Sequence, residues 1–425
     1  MLRSILSSVT WKQSQIVIVG TIVNGVLGAL FYIVLARFLG PAEFGLLTVS
    51  VATLTLIGDT VDFGTNTGIV RFVSSHLVSN RDKALRFLKL SLEVKIAVWV
   101  AVLLVGIILS PFIADKIFNK NELMLPLRLV MIGVGGALLF SFATSSLQAF
   151  QKYFTWSFVN IFTNLLRLLF ILLLLFYQQL NLTSGLLTYI LLPFLGFSLC
   201  LLFIPSKEIF RVKEEFGVAK QFFKFNFWVA AFTLVAAISS RLDTFLTARL
   251  LSPTELGIYS AANQLVQVVP QLVGALGVVA APKFASFVNI VDMIKYFKKF
   301  QVMVIGLAIL GSLVILVASF IIPLIYGGQY KDAASPFIIL FLAMLVFLIS
   351  VPVHNSIIYY FGKPQVFMWV SIGHLLIIGL LGYLLILNYG VVGAATSVLI
   401  GTIFNFLVPL GWFFYKLKLL KQDKR

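Results

Sequence analysis

The 425-residue chain has one cysteine, three histidines and fifteen acidic residues. One thiol makes no disulfide framework, and Cys200 lies in an apolar run, where a free thiol reads as a small packing residue. No Cys/His cluster has metal-ligand spacing, and HExxH, GxSxG and phosphate-cradling glycine loops are missing. No metal, cofactor or catalytic residue is therefore expected. Charge is scarce overall: 11% of residues are charged against 60% hydrophobic, with a mean hydropathy of +1.05. That balance excludes an ordinary soluble domain and fits a polytopic membrane protein. Met1–Thr10 lacks a long apolar stretch ending in a small-residue cleavage site, so no cleavable signal peptide is expected.

What is abundant is long apolar sequence. A membrane-crossing helix needs about 20 mostly apolar residues. Twelve such stretches lie at 14–36, 44–68, 90–111, 127–149, 156–177, 183–204, 225–247, 256–280, 300–325, 335–360, 365–387 and 391–414. They are continuous, unlike the short alternating strands of a barrel. The expected fold class is an all-α polytopic membrane protein.

The chain also repeats itself. Ala36-Arg37-Phe38-Leu39-Gly40-Pro41-Ala42-Glu43-Phe44-Gly45 returns 212 residues later as Ala248-Arg249-Leu250-Leu251-Ser252-Pro253-Thr254-Glu255-Leu256-Gly257. Phe150-Gln151-Lys152 returns 211 residues on as Phe361-Gly362-Lys363. A period of half the chain means two copies of one large unit rather than a solenoid. Six spans per copy is even, so both copies enter the membrane in the same direction, as a parallel repeat. The expected division is an N-terminal six-helix bundle (1–204), an amphipathic cytoplasmic linker (205–224), and a C-terminal bundle with a basic tail (225–425). The two pseudo-symmetric bundles are expected to enclose a central cavity.

Lysine and arginine set the orientation. With the N-terminus inside, 23 of the 32 basic residues fall on the inner side, six on the outer side and three within spans. The inner set includes Arg3, Lys12, Lys363, Lys416, Lys424 and Arg425. Both termini are thus expected in the cytoplasm of a prokaryote, with the chain in its plasma membrane. The formal charge of +17 follows mostly from topology, and no nucleic-acid partner is needed.

The repeated motif reads as punctuation. Ser252, Pro253 and Glu255 have the order of an N-cap, a first helical residue and a capping-box partner. Gly40, Pro41 and Glu43 occupy the same places in the first copy, and Gly45 and Gly257 follow. A structural role is favoured over a substrate contact. Ionisable residues within spans are more telling, because a charge at the bilayer centre costs about 2.5–3.5 kcal/mol even on the lenient scale. Asp59, Asp62 and Asn66, at i, i+3 and i+7 of span 2, share a helical face, as do Asn160, Asn164 and Arg167 in span 5. Span 1 carries Asn24, span 7 Arg241 and Asp243, span 8 Gln264, Gln267 and Gln271, and span 10 His354. Each is either part of an internal pair that fixes packing or part of a wet cavity; taken together, the stripes favour a cavity. For His354 the readings are a satisfied intramembrane donor or a proton-coupling group.

Phe38 to Gly45, then Asp62-Phe63-Gly64 with Arg71-Phe72-Val73, then Gly257-Ile258-Tyr259-Ser260-Ala261-Ala262 form a pattern that resembles the polysaccharide transporters. This family, with the O-antigen-type flippases, belongs to the multidrug/oligosaccharidyl-lipid/polysaccharide exporter superfamily. The resemblance implies flipping of an undecaprenyl-pyrophosphate-linked oligosaccharide for surface polysaccharide biosynthesis by alternating access. Its implied partners are that lipid-linked oligosaccharide, membrane lipids, a coupling cation (H⁺ or Na⁺) and other polysaccharide-assembly proteins. Arg241 is then the first choice for the pyrophosphate and Arg167 the second. Asn24, Asn160, Asn164, Gln264, Gln267 and Gln271 would meet sugar; Asp59, Asp62, Asp243 and His354 would tune charge or carry the cation. Span 1 lacks the basic residues of the peptidoglycan-precursor flippases and the acidic residue of many drug exporters. The rival functions are a cation-coupled drug or metabolite antiporter of the same architecture, a membrane glycan polymerase or ligase, and a non-transporting scaffold. A polymerase or ligase needs a sizeable outer loop, and the outer loops here are short.

Overall fold

The computed structural model describes residues 9–213 and 216–422. Arg3, Lys424 and Arg425 of the orientation count lie outside them. Every regular element among the described residues is helical. In order they are α1 (Val9–Val61), α2 (Thr65–His76), α3 (Arg81–Phe112), α4 (Met124–Ala149), α5 (Tyr153–Phe176) and α6 (Leu182–Cys200). Then come α7 (Ser206–Arg211), α8 (Phe216–Ser239), α9 (Leu242–Leu250), α10 (Pro253–Val266), α11 (Val268–Ala285) and α12 (Ile290–Leu316). The last four are α13 (Ala318–Tyr326), α14 (Ala334–Asn355), α15 (Gln365–Leu376) and α16 (Gly382–Gln422). Short π and 3₁₀ turns join several of them.

Ten helical stretches among the described residues are long and apolar enough to cross a membrane. The first and last each hold two spans. Gly40 (φ 79°) breaks α1 and Gly390 (φ 56°) breaks α16, so twelve spans result, as expected. Both breaks use a left-handed backbone that a residue without Cβ adopts at little cost. Pro41 then restarts the helix at a position where its missing N–H is not needed. This is an integral membrane protein.

By packing, the chain forms two compact units. The first comprises 1–39 and 46–241, the second 40–45 and 242–425. Segment 225–241 therefore packs with the first unit, and the seventh span is interrupted at Ser240-Arg241, between α8 and α9. In the connection before it, the described residues form the six-residue α7 and then the first turns of α8.

Within the first unit, α4 is the central helix, flanked by α3 and α6. Gly135 lets the Trp99 indole lie directly on its backbone, from where Nε1 donates to the Met131 carbonyl at 3.3 Å. Within the second unit α14 has the same place, flanked by α12 and α16. The backbone repeats in finer detail too. Gln151 (φ 56°) answers to Gly362 (φ 61°), and Gln178 (φ 55°) to Gly390, at the offsets of 211 and 212 residues read from the sequence.

The repeated motif meets its own copy. A Cβ on Gly45 would sit 2.7 Å from the Gly257 amide nitrogen and 2.5 Å from the Pro253 carbonyl oxygen. A Cβ on Gly257 would fall onto the Pro41 carbonyl. Segment 40–45 is thus embedded in the second unit, against the start of α10. There Ser252 Oγ accepts from the Glu255 amide at 3.3 Å while Glu255 Oε2 accepts from the Ser252 amide at 3.0 Å, a reciprocal capping box.

Candidate functional site

Span 2 is not one continuous helix. It stops at Val61, and Asp62, Phe63 and Gly64 form a turn with positive φ at Phe63 (49°) and Gly64 (70°). Asp59, Asp62 and Asn66 therefore do not share a face, and each meets different chemistry. Asp62 turns inward. Its Oδ1 accepts from Thr65 Oγ1 at 2.9 Å and Oδ2 from the Asn66 amide at 3.3 Å, so the carboxylate begins α2. It also forms an ion pair with Lys95 of α3, whose Nζ donates further to Ser141 Oγ of α4 at 3.1 Å. The two side chains are 11% and 1% exposed, so this pair is buried and ties the turn to α3 and α4. A closed, fully partnered pair of this kind fixes geometry.

Asp59 lies on the other side of the break, half-exposed. Arg241 Nη2 approaches Asp59 Oδ2 at 3.4 Å, and Arg241 Nε donates to Thr55 Oγ1 at 2.9 Å, one turn earlier on α1. Thr55 and Asp59 are four residues apart, so one helical face holds both contacts. Arg241 keeps part of its surface open, and its long contact to Asp59 is a weak restraint.

A third group forms around α5. Asn164 Nδ2 donates to Asn24 Oδ1 of α1 at 2.9 Å, and its Oδ1 accepts from Arg167 Nη1 at 3.0 Å. The Arg167 guanidinium lies over the Tyr189 ring of α6 at 4.3 Å and near Phe31 of α1 at 5.7 Å. Its Nε is buried without a hydrogen-bond partner, and among the described residues no carboxylate pairs with it. Tyr32 hydrogen-bonds Tyr189 and lies within the electrostatic reach of both Arg167 and Arg241. Asn24, Asn164, Arg167, Asp59 and Arg241 thus belong to one neighbourhood of the first unit. Asn160 does not join them; its amide returns to the Trp156 carbonyl on the same helix at 2.8 Å.

In the second unit the polar residues are local. Tyr259 of α10, fully buried, donates its hydroxyl to Asp243 Oδ2 of α9. Gln264 lies in the last turn of α10, Gln267 is the joint to α11 and Gln271 lies in the first turn of α11, where backbone hydrogen bonds stretch to 3.4 Å beside Pro270. Gln267 Nε2 reaches Asn263 Oδ1 at 3.3 Å. His354 Nε2 faces the Asn405 carbonyl at 3.1 Å, with its ring edge-on to Phe367. A carbonyl partner means that Nε2 carries a proton, the arrangement of a satisfied buried histidine.

Lys95, Thr55, Ser141, Tyr189 and Tyr259 were not among the expected site residues. Lys95 alone had left a signal, as a charge within a span. Hydroxyls and ring faces leave none until helices far apart in sequence pack together.

The fold defines an all-helical integral membrane protein of twelve spans, an architecture that solved membrane transporters share. The structure is similar to the lipid II flippase MurJ in an inward closed conformation (TM-score 0.72, 16% identity), with 94% of this chain and 87% of that one covered. It is also similar to a multidrug resistance MATE family transporter of the MOP superfamily in an inward-facing conformation (0.76, 11%, 95% and 96%). A MOP superfamily transporter from Pyrococcus furiosus shares the fold as well (0.65, 11%, 96% and 95%). Comparison with curated protein sequences gives no match. The chain belongs to the polysaccharide biosynthesis protein family, whose model matches residues 10–288.

Proposed function

We propose that the protein is a flippase that carries an oligosaccharide linked to an isoprenoid lipid through pyrophosphate across the prokaryotic cytoplasmic membrane, with both termini inside. The reading rests on Arg167. This arginine lies near the middle of α5, cushioned on Tyr189, with a buried Nε–H that has no acceptor. A cation held at that depth without a carboxylate is costly unless an anion visits it. A pyrophosphate supplies several acceptor oxygens of the right charge, and a guanidinium binds such groups through paired N–H donors. Asn24 and Asn164 orient the guanidinium and offer amide groups to sugar hydroxyls. The geometry thus favours Arg167 over Arg241 as the pyrophosphate contact, because Arg241 already has Asp59 and Thr55.

The same fold serves multidrug transporters, so fold alone does not choose the cargo. Family membership and the unpaired cation favour an anionic lipid-linked glycan over a cationic drug. On this reading the chain moves its cargo without making or breaking a bond in it, and it is not an enzyme. The test is reconstitution into vesicles that hold either a fluorescent polyprenyl-pyrophosphate oligosaccharide or a cationic dye under an imposed Na⁺ or H⁺ gradient. Protein-dependent movement of the glycan lipid, with no dye transport, is expected. Gradient-driven dye transport with no glycan movement would establish the antiporter instead.

A further inference from the structure

A recess lies within the second unit, between α15 and α16. It has a volume of about 570 Å³ and opens at the protein surface. Its walls are Val366 and Val370 of α15 and Phe404 and Val408 of α16. Trp369 and Trp412 stand on either side, Trp369 being 68% exposed, and Lys363 lies at the end where α15 begins. No carboxylate lines it.

The pattern along α16 is regular. Phe404, Val408 and Trp412 are each four residues apart and share a face, and Lys416 is the next residue of that series. The groove is thus apolar and tryptophan-flanked with Lys363 at its end, and Lys416 lies one turn beyond Trp412 on α16. Tryptophan prefers the level of lipid headgroups, and basic pockets between transmembrane helices hold anionic headgroups. Lys363 and Lys416 both belong to the basic set expected on the cytoplasmic side.

We infer that this groove is a binding site for an anionic phospholipid of the bilayer, phosphatidylglycerol being the simplest. Its acyl chain lies along Val366, Val370, Phe404 and Val408, and its phosphate meets Lys363 and Lys416. The site is separate from Arg167, so it stands or falls independently of the proposed cargo.

Native mass spectrometry of the full-length protein in detergent tests the inference, with phosphatidylglycerol and phosphatidylcholine of identical chains titrated separately. The protein should retain one phosphatidylglycerol in preference to phosphatidylcholine. Lys363→Ala with Lys416→Ala should weaken phosphatidylglycerol on the order of ten-fold or more and leave phosphatidylcholine unchanged. Val408→Trp, which fills the groove at an exposed position, should displace both. Equal retention of the two lipids, or a lysine variant that binds like the wild type, overturns the assignment. So does a polyprenyl pyrophosphate that displaces phosphatidylglycerol from the wild type and is itself retained by the wild type but not by Val408→Trp, since the groove would then belong to the cargo's tail.

Discussion

The two units are copies in backbone and strangers in charge. Each has its central helix, α4 or α14, and left-handed residues recur at Gln151 and Gly362 and at Gln178 and Gly390. Yet the first unit carries Asp59, Asp62, Lys95, Arg167 and Arg241 in or at the edges of its spans, whereas the second carries Asp243 and two histidines, His354 and His374. At the repeat offset, Asp62 and Lys95 correspond to Gly274 and Leu307. The helix turn that the ion pair braces has no counterpart either, since α11 runs unbroken from Val268 to Ala285. The first unit therefore holds two kinds of intra-span charge: the closed Asp62–Lys95 pair, absent at the repeat offset, and Arg167, which has no carboxylate partner among the described residues.

The comparison breaks most visibly at the closed pair. Lys95→Ala leaves the Asp62 carboxylate buried without its cation and should cost about 3–5 kcal/mol. Thermal unfolding in detergent will register the loss, and Asp62→Asn with Lys95→Met should recover most of it, because asparagine can still accept from the Asn66 backbone amide. Next comes the contact between the two motif copies. Gly257→Ala drives a methyl into the Pro41 carbonyl, and overpacking of this kind costs about 1–3 kcal/mol or more. Gly277→Ala, with open space around it, should be tolerated, so equal losses in the two variants would contradict the close approach. In the second unit, His354→Gln keeps a donor for Asn405 and should change stability by about 1 kcal/mol or less, with transport unaltered. A loss of coupled transport with stability intact would give that histidine a titrating role. Smallest of all is Asp59→Asn. The pair with Arg241 is long and half-exposed, so the expected change is within about 1 kcal/mol.

Local features were readable from the sequence because their partners lie within a few residues. Gly40-Pro41 announces a helix break, Ser252-Pro253-Thr254-Glu255 a capping box, and the two motif copies the duplication. Long-range polar chemistry was not readable. Asp62 and Lys95 are 33 positions apart, and Arg241 and Thr55 are 186 apart. The break after Val61 was hidden for another reason: Phe63 takes a left-handed conformation that sequence rules reserve for glycine and asparagine. A continuous helix then put Asp59 and Asp62 on one face, and two unlike carboxylates looked alike. The acceptors that meet Arg241 were hidden in the same way, since they lie on a distant helix.

On the proposed function, the unpaired cation on α5 recognises the phosphate of a lipid-linked cargo. The most direct measurement of that recognition is the initial rate of glycan-lipid flipping in vesicles for Arg167→Gln and Arg167→Lys, each with unfolding temperature and insertion matched to the wild type. The account predicts loss of flipping in the glutamine variant and partial recovery in the lysine one, which keeps the charge but not the paired donors. Flipping at the wild-type rate in a well-folded Arg167→Gln protein would contradict it.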